Sequence, residues 1–135
     1  MGFIRVLVKI LPPSDGREPV EVDILVDTGA IYSLLPRQVL ESVGVTPTGH
    51  GQFRTIEGRP IERDVANVFV EIAGRRSLGM VPVIFGEAAD QPVLGVTALE
   101  MMGLEVDPVR GELRPTEFLL LSVIAGRIVH PKEML

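Results

Sequence analysis

One segment, VDILVDTGAIYSLLP from Val22 to Pro36, constrains the fold of this chain more than any other. Its apolar run is interrupted by Asp27-Thr28-Gly29 and then resumes at once. A continuous apolar run of this kind is typical of a strand that enters a core, so the acid stands where a buried strand ends. Gly29 lets the backbone bend and approach another group closely, and Thr28 offers a hydroxyl that donates and accepts. The segment therefore predicts a strand that is followed directly by a tight turn with one carboxylate at its start.

The chain length of 135 residues predicts one domain, residues 1–135, that is large enough to bury a real core. Hydrophobic residues make up 46% of the chain and aromatic residues only 4%, so most of the core must be aliphatic. Val and Ile favour strands. Pro and Gly divide the sequence into short apolar segments, and strands are therefore expected to dominate the fold.

Local patterns predict the order of these elements. Two strands are expected first, over residues 3–11 and 20–27. Residues 49–64 are expected to form an exposed hairpin with EGRP as its turn, residues 65–85 two strands around a turn at Gly74-Arg75-Arg76, and residues 104–115 a last hairpin.

Two short helices are also expected. The first has Pro36 at its first helical position and ends at Gly44, and the second runs from about Thr97 to Met102 and ends at Gly103. Both contain the spacing Leu-Glu-x-x-Gly, at residues 40–44 and 99–103. This echo favours two halves built on one plan, in which Val93-Leu94-Gly95 takes the place of a second Asp-Thr-Gly, although chance is the alternative.

Charge and residue types argue against several classes of function. The net charge is −5 and only Arg75 and Arg76 form a basic doublet, so neither nucleic acid nor a membrane surface is an expected partner. The chain has no cysteine, which excludes disulfides and thiolate chemistry. His50 and His130 are expected at the surface, and we expect no metal and no cofactor.

The ends of the sequence indicate a cytoplasmic protein. The first residues have the pattern of a strand and not of a signal peptide. The apolar run FLLLSVIAG near the other end is too short to span a bilayer.

Several motifs occur together in an order that resembles the retropepsin-like aspartic proteases of clan AA. Leu25 and Val26 precede Asp27-Thr28-Gly29-Ala30, Ser33 and a helix follow, and Val93-Leu94-Gly95 leads into a second helix. In that family two hydrophobic residues precede Asp-Thr/Ser-Gly-Ala/Ser in the catalytic loop, and a later hydrophobic-hydrophobic-Gly segment supports it. The resemblance covers about residues 20–115, and LEVDP is similar to the bacterial and archaeal single-domain members.

The resemblance implies a mostly β fold, an acid-protease β-barrel with one or two short helices, that acts as a homodimer on a peptide or protein substrate. Asp27, Thr28 and Gly29 would be catalytic, and Leu94 and Gly95 would support their loop. Hydrolysis by this chemistry requires one carboxylate to activate water and one carboxylic acid to assist the carbonyl oxygen. Since the chain has a single Asp-Thr-Gly, the second Asp27 would come from a partner copy across a two-fold axis.

The same resemblance suggests roles for further residues. Ala30 stands where two-lobed relatives usually carry Ser or Thr; the lost donor should raise the pKa of the aspartate pair and make the pH optimum less acidic. The hairpin FRTIEGRPIE would be a flap, with Ile56, Glu57 and Gly58 at its tip as substrate-binding residues together with Ala30. The tail from Phe118 to Ala125 would be an interface strand or a core edge strand.

Three alternatives to an active protease come from the same residues. Asp27 as an ordinary turn or cap residue is the simplest. A catalytically silent dimerisation or peptide-binding module on the same fold is the second. A metal- or phosphate-dependent hydrolase is the third, but the sequence near Asp27 lacks the further acids or the glycine-rich phosphate loop that such an enzyme needs.

Overall fold

The structure is a computed structural model that describes residues 4–116 and the backbone of residues 123–124 and 127–128. Strands dominate it, and the prediction of a mostly β fold with two short helices is confirmed. The predicted tail from Phe118 to Ala125 and His130 lie largely or wholly outside the described residues. In chain order the elements are β1 (Ile4–Ile10), β2 (Val20–Val26), β3 (Ser33–Pro36), α1 (Arg37–Ser42), β4 (Gly49–Arg54), β5 (Pro60–Val68), β6 (Val70–Ile72), β7 (Arg75–Arg76), β8 (Val81–Gly86), β9 (Val93–Leu94), α2 (Val96–Met101), β10 (Leu104–Asp107), β11 (Glu112–Pro115), β12 (Val123–Ile124) and β13 (Arg127–Ile128).

Nine of these strands form one mixed sheet, in the order β4-β5-β8-β3-β9-β2-β1-β6-β7. The first two strands pair antiparallel along their whole length, from Ile4 opposite Val26 to Ile10 opposite Val20. Both predicted hairpins are present: β4 pairs with β5 in the main sheet, and β10 pairs with β11 in a separate two-stranded sheet. The turn predicted at EGRP is wrong by two residues, because the Gly58 N–H donates to the carbonyl of Thr55 and Pro60 already belongs to β5. The site described below lies where β2, β3 and β9 meet.

The core is aliphatic, as the composition predicts. Buried side chains come from one face of each strand, because successive residues of a strand point to opposite faces; Val8 and Ile10 of β1 and Ile24 of β2 are fully enclosed. Phe85 is the one aromatic ring among the buried core residues that the structure describes. Neither helix is long, and each buries its apolar face against the sheet through a leucine, Leu40 in α1 and Leu99 in α2.

Both helices end as the glycines predict. At the end of α1, Gly44 adopts a φ of 86°, its N–H donates to the carbonyl of Glu41, and the N–H of Val45 donates to the carbonyl of Leu40. This is the pair of hydrogen bonds that satisfies the last carbonyls of a helix with a left-handed glycine behind it. Gly103 has a φ of 68° behind α2. These endings depend on local chemistry alone.

The predicted start of the first helix is wrong by one residue, and the sequence does not reveal the strand beside it. Pro36 has an extended backbone and precedes α1 as its N-cap; it is the last residue of β3, which pairs parallel with β8. The pattern Ser-Leu-Leu-Pro is too short to indicate a strand by alternation. Pairing with distant segments makes β3 a strand, mainly the parallel pairing with a segment 50 residues away, from Ser33 opposite Val83 to Pro36 opposite Gly86.

The turn predicted at Gly74-Arg75-Arg76 is also wrong by position. The turn is at Ala73 and Gly74, whose φ angles of 49° and 81° are both left-handed, as a two-residue hairpin turn requires. Arg75 and Arg76 form β7 opposite β6. The guanidinium of Arg76 lies 4.4 Å from the centroid of the Phe69 ring, so a cation–π contact holds this edge strand.

The expected repeat is confirmed in the strand pairing. Each half runs from a strand through a loop into a short strand and a helix, and the halves exchange strands: β2 pairs parallel with β9, β8 pairs parallel with β3, and Leu34 faces Val93 between them. This register makes Val93-Leu94-Gly95 the counterpart of Leu34-Leu35-Pro36. The expectation that it stands in the place of Asp-Thr-Gly is therefore wrong, and the counterpart of Asp27 is Gly86.

Candidate active site

Asp27 opens the loop of residues 27–32 that joins β2 to β3. Its carboxylate oxygen Oδ1 accepts a hydrogen bond from the Gly29 N–H at 2.9 Å, and its carbonyl accepts one from the Ala30 N–H at 3.1 Å. An acid that bonds the backbone two residues on makes a compact turn without help from the rest of the fold. In the single chain the Asp27, Thr28 and Gly29 positions are exposed. The loop thus holds one carboxylate at a defined position on the surface.

The end of β9 braces this loop from below. The Asp27 N–H donates to the carbonyl of Leu94 at 3.0 Å, and the Val96 N–H donates to the carbonyl of Ala30 at 2.8 Å. The Gly95 N–H donates to the hydroxyl of Ser33 at 2.9 Å, and Ser33 is buried. The structure therefore brings Leu94 and Gly95 against the Asp27 loop, although they are more than 60 residues away in the sequence.

No side chain fits at the centre of this brace. A Cβ added to Gly95 would lie 2.6 Å from the carbonyl oxygen of Tyr32 and 2.9 Å from that of Ala30. Those distances are far inside van der Waals contact, and both neighbours are backbone atoms that cannot turn aside. The two loops approach each other as closely as they do because residue 95 is glycine.

A groove of about 260 Å³ lies beside the Asp27 loop. Its lining is mainly apolar and includes Ala30, Ile31 and Leu34 in and after the loop, and Phe53 and Ile61 of the β4–β5 hairpin. A second groove of about 280 Å³ continues from it and shares Tyr32, Phe53 and Ile84. The two form one apolar trench lined by residues of the Asp27 loop and of the hairpin.

The hairpin tip is a small structure stabilised by its own hydrogen bonds. The Thr55 N–H donates to the carbonyl of Arg59 at 2.9 Å, the Arg59 N–H donates to the Thr55 hydroxyl at 3.1 Å, and Arg54 Nη1 donates to the carbonyl of Gly58 at 2.7 Å. Ile56 projects fully into solvent. The predicted residues Ile56, Glu57 and Gly58 are therefore at the tip, as expected, but within the described chain the groove is lined by residues lower on the hairpin.

Charged side chains surround the base of this hairpin. Arg37 Nη2 donates to Asp64 Oδ2 at 2.7 Å and to Glu87 Oε2 at 2.9 Å. His50 Nδ1 lies 3.1 Å from Asp64 Oδ1, and its Nε2 lies 3.4 Å from Glu62 Oε2. Hydrogen bonds from Arg37 and then from His50 lower the pKa of Asp64, and hydrogen bonds to Asp64 and then Glu62 raise the pKa of His50.

The second half of the repeat carries no acid at the position that matches Asp27. Gly86 occupies that position and is buried, and an added Cβ would meet the end of the Leu34 side chain. Glu87 and Asp90 in the following loop are engaged in ion pairs with Arg37 and Arg63. This half therefore packs against the Asp27 loop through Leu94 and Gly95. It supplies no acid that matches Asp27.

Sequence reasoning missed several residues of this site. Ser33 appeared only as part of a pattern, and nothing local shows that its hydroxyl accepts from Gly95. Phe53 and Ile61 carried a usable signal, since both are apolar residues of the predicted hairpin; they pair across β4 and β5. Tyr32 and Ile84 join the trench only through the pairing of distant strands, which leaves no mark in either segment.

The described residues lack the features of two other classes of site. Among them, no three His, Asp or Glu side chains are grouped so that they would hold a metal ion. In the same part of the chain, no helix has the length and apolar character needed to cross a membrane.

A family comparison agrees with this geometry. The family model described as Aspartyl protease matches residues 14–98, which include the Asp27 loop, the hairpin and Gly95. A solved structure that aligns with the chain is the solution structure of Simian Foamy Virus (mac) protease, at 20% sequence identity and a TM-score of 0.49, covering 71% of this chain and 91% of that chain. No curated protein sequence gives a significant match.

Proposed function

Since this chain belongs to the aspartyl protease family, we propose that it is an aspartic endopeptidase whose active site contains one Asp27 from each of two identical chains. The observation that carries the proposal is the Asp27 loop itself. Its carboxylate accepts from the Gly29 N–H at 2.9 Å, and its backbone N–H donates to the carbonyl of Leu94. The side chain is exposed, and later residues of the same loop line an apolar trench. A turn residue with no further role would need none of that surrounding structure.

Peptide hydrolysis by this mechanism requires a second carboxyl group beside Asp27. In the proposed mechanism one ionised Asp27 removes a proton from water while the water oxygen attacks the peptide carbonyl carbon. The protonated Asp27 of the other chain hydrogen-bonds the carbonyl oxygen and then transfers its proton to the amide nitrogen. The C–N bond breaks, the amine leaves, and the pair again holds one proton. Two carboxylates this close share one proton, because repulsion prevents both from ionising; the paired aspartates of aspartic proteases in general behave in this way.

The fold supports a second chain as the source of that partner. Gly86 stands where the other half would carry a matching acid, so the repeat within one chain supplies one aspartate and not a dyad. A two-fold axis through the exposed Asp27 loops would place the two carboxylates side by side, since each chain then meets its own copy. Burial of Asp27, which is exposed in the single chain, would follow from this pairing.

The remaining predicted residues take roles consistent with this arrangement. Thr28 would bond the opposite loop, Gly29 would let the substrate backbone approach the dyad, and Ala30 would line the substrate groove together with Phe53 and Ile61. Ile56, Glu57 and Gly58 would close over the bound chain from the hairpin tip. Extended, largely apolar peptide segments are the proposed substrates, and a cytoplasmic location is proposed with them.

A digest of a peptide library by wild type and by the Asp27→Asn variant tests the proposal between about pH 4 and pH 7. The asparagine oxygen can still accept from the Gly29 N–H, so the loop should keep its shape while it loses the ionisable group. We expect cleavage by wild type and a loss of at least about a hundredfold in the variant. Asp23→Asn is the matched control, because Asp23 lies on β2, the strand that leads to Asp27, and pairs with Arg5 at the surface.

Cleavage that survives Asp27→Asn would overturn the proposal. A wild-type protein that binds peptides in this trench and cleaves none of them would instead establish the silent peptide-binding module. Thermal unfolding of both variants excludes loss of fold as the cause of lost cleavage.

A further inference from the structure

The β4–β5 hairpin, at the edge of the main sheet, extends beyond the neighbouring strand β8 from a defined residue. β5 pairs with β8 from Val65 opposite Ile84 to Val68 opposite Val81, whereas residues 60–64 of β5 pair only with β4 in the described register. The part of the hairpin that lines the groove therefore projects from the sheet. Its first two residues beyond the sheet are Arg63 and Asp64, so contacts of these two side chains set its direction.

Arg63 makes a two-pronged ion pair at this point. Its Nε donates to Asp90 Oδ2 and its Nη2 donates to Asp90 Oδ1, both at 2.8 Å, and its Nη1 donates to the carbonyl of Glu62 at 2.8 Å. The side chains of Arg63 and Asp90 are only 17% and 15% exposed. A planar bidentate pair with little solvent contact fixes distance and orientation together, unlike a flexible surface pair.

Asp90 belongs to the loop that precedes β9. Its Oδ2 also accepts from the Glu87 N–H at 2.8 Å, and its own N–H donates to the carbonyl of Glu87 at 3.0 Å, so residues 87–90 form a closed turn. Four residues after Asp90, the carbonyl of Leu94 accepts from the Asp27 N–H. A short, rigid path therefore runs from Arg63 on the hairpin to the brace of the Asp27 loop.

A second contact holds the opposite face of the same strand. Adjacent residues of a strand point to opposite sides, and Asp64 bonds Arg37, which also bonds Glu87. The loop of residues 87–90 thus holds the hairpin base from both sides. Arg63 is the member of this arrangement that also lines the groove beside Ala30.

We propose that Arg63 and Asp90 are positioning residues of this protease. Their ion pair sets the angle at which the β4–β5 hairpin leaves the sheet and so holds Phe53 and Ile61 across the substrate groove from the Asp27 loop. The proposal rests on the proposed function, since it assigns the groove to a peptide. It predicts that breaking the pair weakens peptide binding and leaves the chemistry at Asp27 largely intact.

The test uses the full chain with Arg63→Gln, Asp90→Asn, and both substitutions together. Amide hydrogen exchange is measured for residues 52–59, and KM and kcat are measured for a cleaved peptide. We expect exchange and KM each to rise on the order of tenfold while kcat changes by about twofold or less. The double variant should be no worse than either single variant, because the two residues act through one contact.

Two further variants separate positioning from general stability. Arg63→Lys keeps the charge but loses the bidentate geometry. Its KM should lie between those of wild type and Arg63→Gln. If Arg63→Gln folds poorly, a rise in KM for Arg63→Lys relative to wild type tests the same point. Arg5→Gln breaks the exposed pair between Arg5 and Asp23, whose side chains are 53% and 64% exposed, and should change neither exchange nor KM.

Unchanged exchange in residues 52–59, unchanged KM, or additive effects in the double variant would overturn the positioning role. This outcome is distinct from failure of the proposed function. Amide exchange can be measured without cleavage, and peptide affinity can be measured in the Asp27→Asn background. If the wild type cleaves nothing, the protease proposal is overturned, but the effect of Arg63 on hairpin exchange and on peptide affinity can still be measured.

Discussion

Gly95 carries a constraint that no other residue of the brace carries. Its φ of −90° lies in the region open to every residue, so backbone freedom is not the reason for glycine. The reason is space, because the carbonyl oxygens of Tyr32 and Ala30 occupy the position of a side chain. At this residue the distance between the two halves of the chain is decided by a single absent methyl group.

Gly95→Ala is expected to destabilise the protein by about 1–3 kcal/mol, since the added methyl group must push two backbone segments apart. Urea unfolding of wild type and variant measures the difference in the free energy of unfolding. Gly58→Ala is the matched control: its φ is 87°, but open space surrounds it, so it should cost only the left-handed penalty of about 1 kcal/mol. Equal stability of wild type and Gly95→Ala would contradict this packing argument.

Ser33→Ala tests the hydrogen bond that closes the same brace. The Ser33 hydroxyl is buried and accepts from the Gly95 N–H at 2.9 Å, so the variant leaves a buried donor without its partner. A loss of about 1–3 kcal/mol in the free energy of unfolding is expected. Ser42→Ala, which removes a hydroxyl bonded to the Val39 carbonyl on the exposed side of α1, should cost clearly less.

Among the secondary-structure elements, the β4–β5 hairpin depends on polar contacts at its base and apolar contacts in its groove. His50 of β4 is bonded to Asp64 and Glu62 of β5, and these bonds raise its pKa above the ordinary histidine value of 6.5. A raised folded-state pKa means that protonated His50 stabilises the hairpin. That contribution is fully present below the unfolded pKa and is lost as pH rises through the folded pKa.

An NMR titration of the His50 ring should therefore give a pKa above 6.5 in the wild-type protein. Asp64→Asn should lower that pKa most, because Asp64 is the larger cause, and Glu62→Gln should lower it less. Glu105→Gln, on a separate hairpin, serves as the control. If neither substitution changes the His50 pKa, the two carboxylates do not stabilise the imidazolium. In His50→Gln, the protection of the hairpin amides against exchange should lose the part of its pH dependence that comes from titration of His50.

For the molecule as a whole, the proposal requires two chains for one active site. Wild type mixed with Asp27→Asn and allowed to exchange subunits should then form mixed dimers that contain one functional acid. If both aspartates are needed, activity falls with the square of the wild-type fraction, so an equal mixture keeps about one quarter of the activity. Measurement of activity against mixing ratio checks this.

A straight-line dependence on the wild-type fraction would show that each chain works alone. Dilution of the wild type gives an independent check, because specific activity should fall once the dimer dissociates. Both measurements test the assembly and leave the identity of the substrate aside.

Features governed by neighbouring residues were predictable from the sequence. The Asp-Thr-Gly turn, the glycine ends of both helices and the two hairpins depend on contacts within a few residues, so their patterns appear directly in the chain. The edge strand at Arg75 and Arg76 shows the limit of such patterns. The local pattern puts its turn too late in the chain, because Ala73 adopts a left-handed φ that its residue type does not announce.

The order of residue types is enough to establish that one acid ends a buried strand, and that strands with two short helices surround an aliphatic core. What Asp27 faces depends instead on the tertiary fold. Parallel pairing of β2 with β9 and of β3 with β8 brought Gly95 beneath the loop, put Gly86 in the place of a second acid, and built a trench from Tyr32, Phe53 and Ile84. Such pairings join segments some 50 to 70 residues apart, and their free energy comes from packing and hydrogen bonds that exist only once the segments meet.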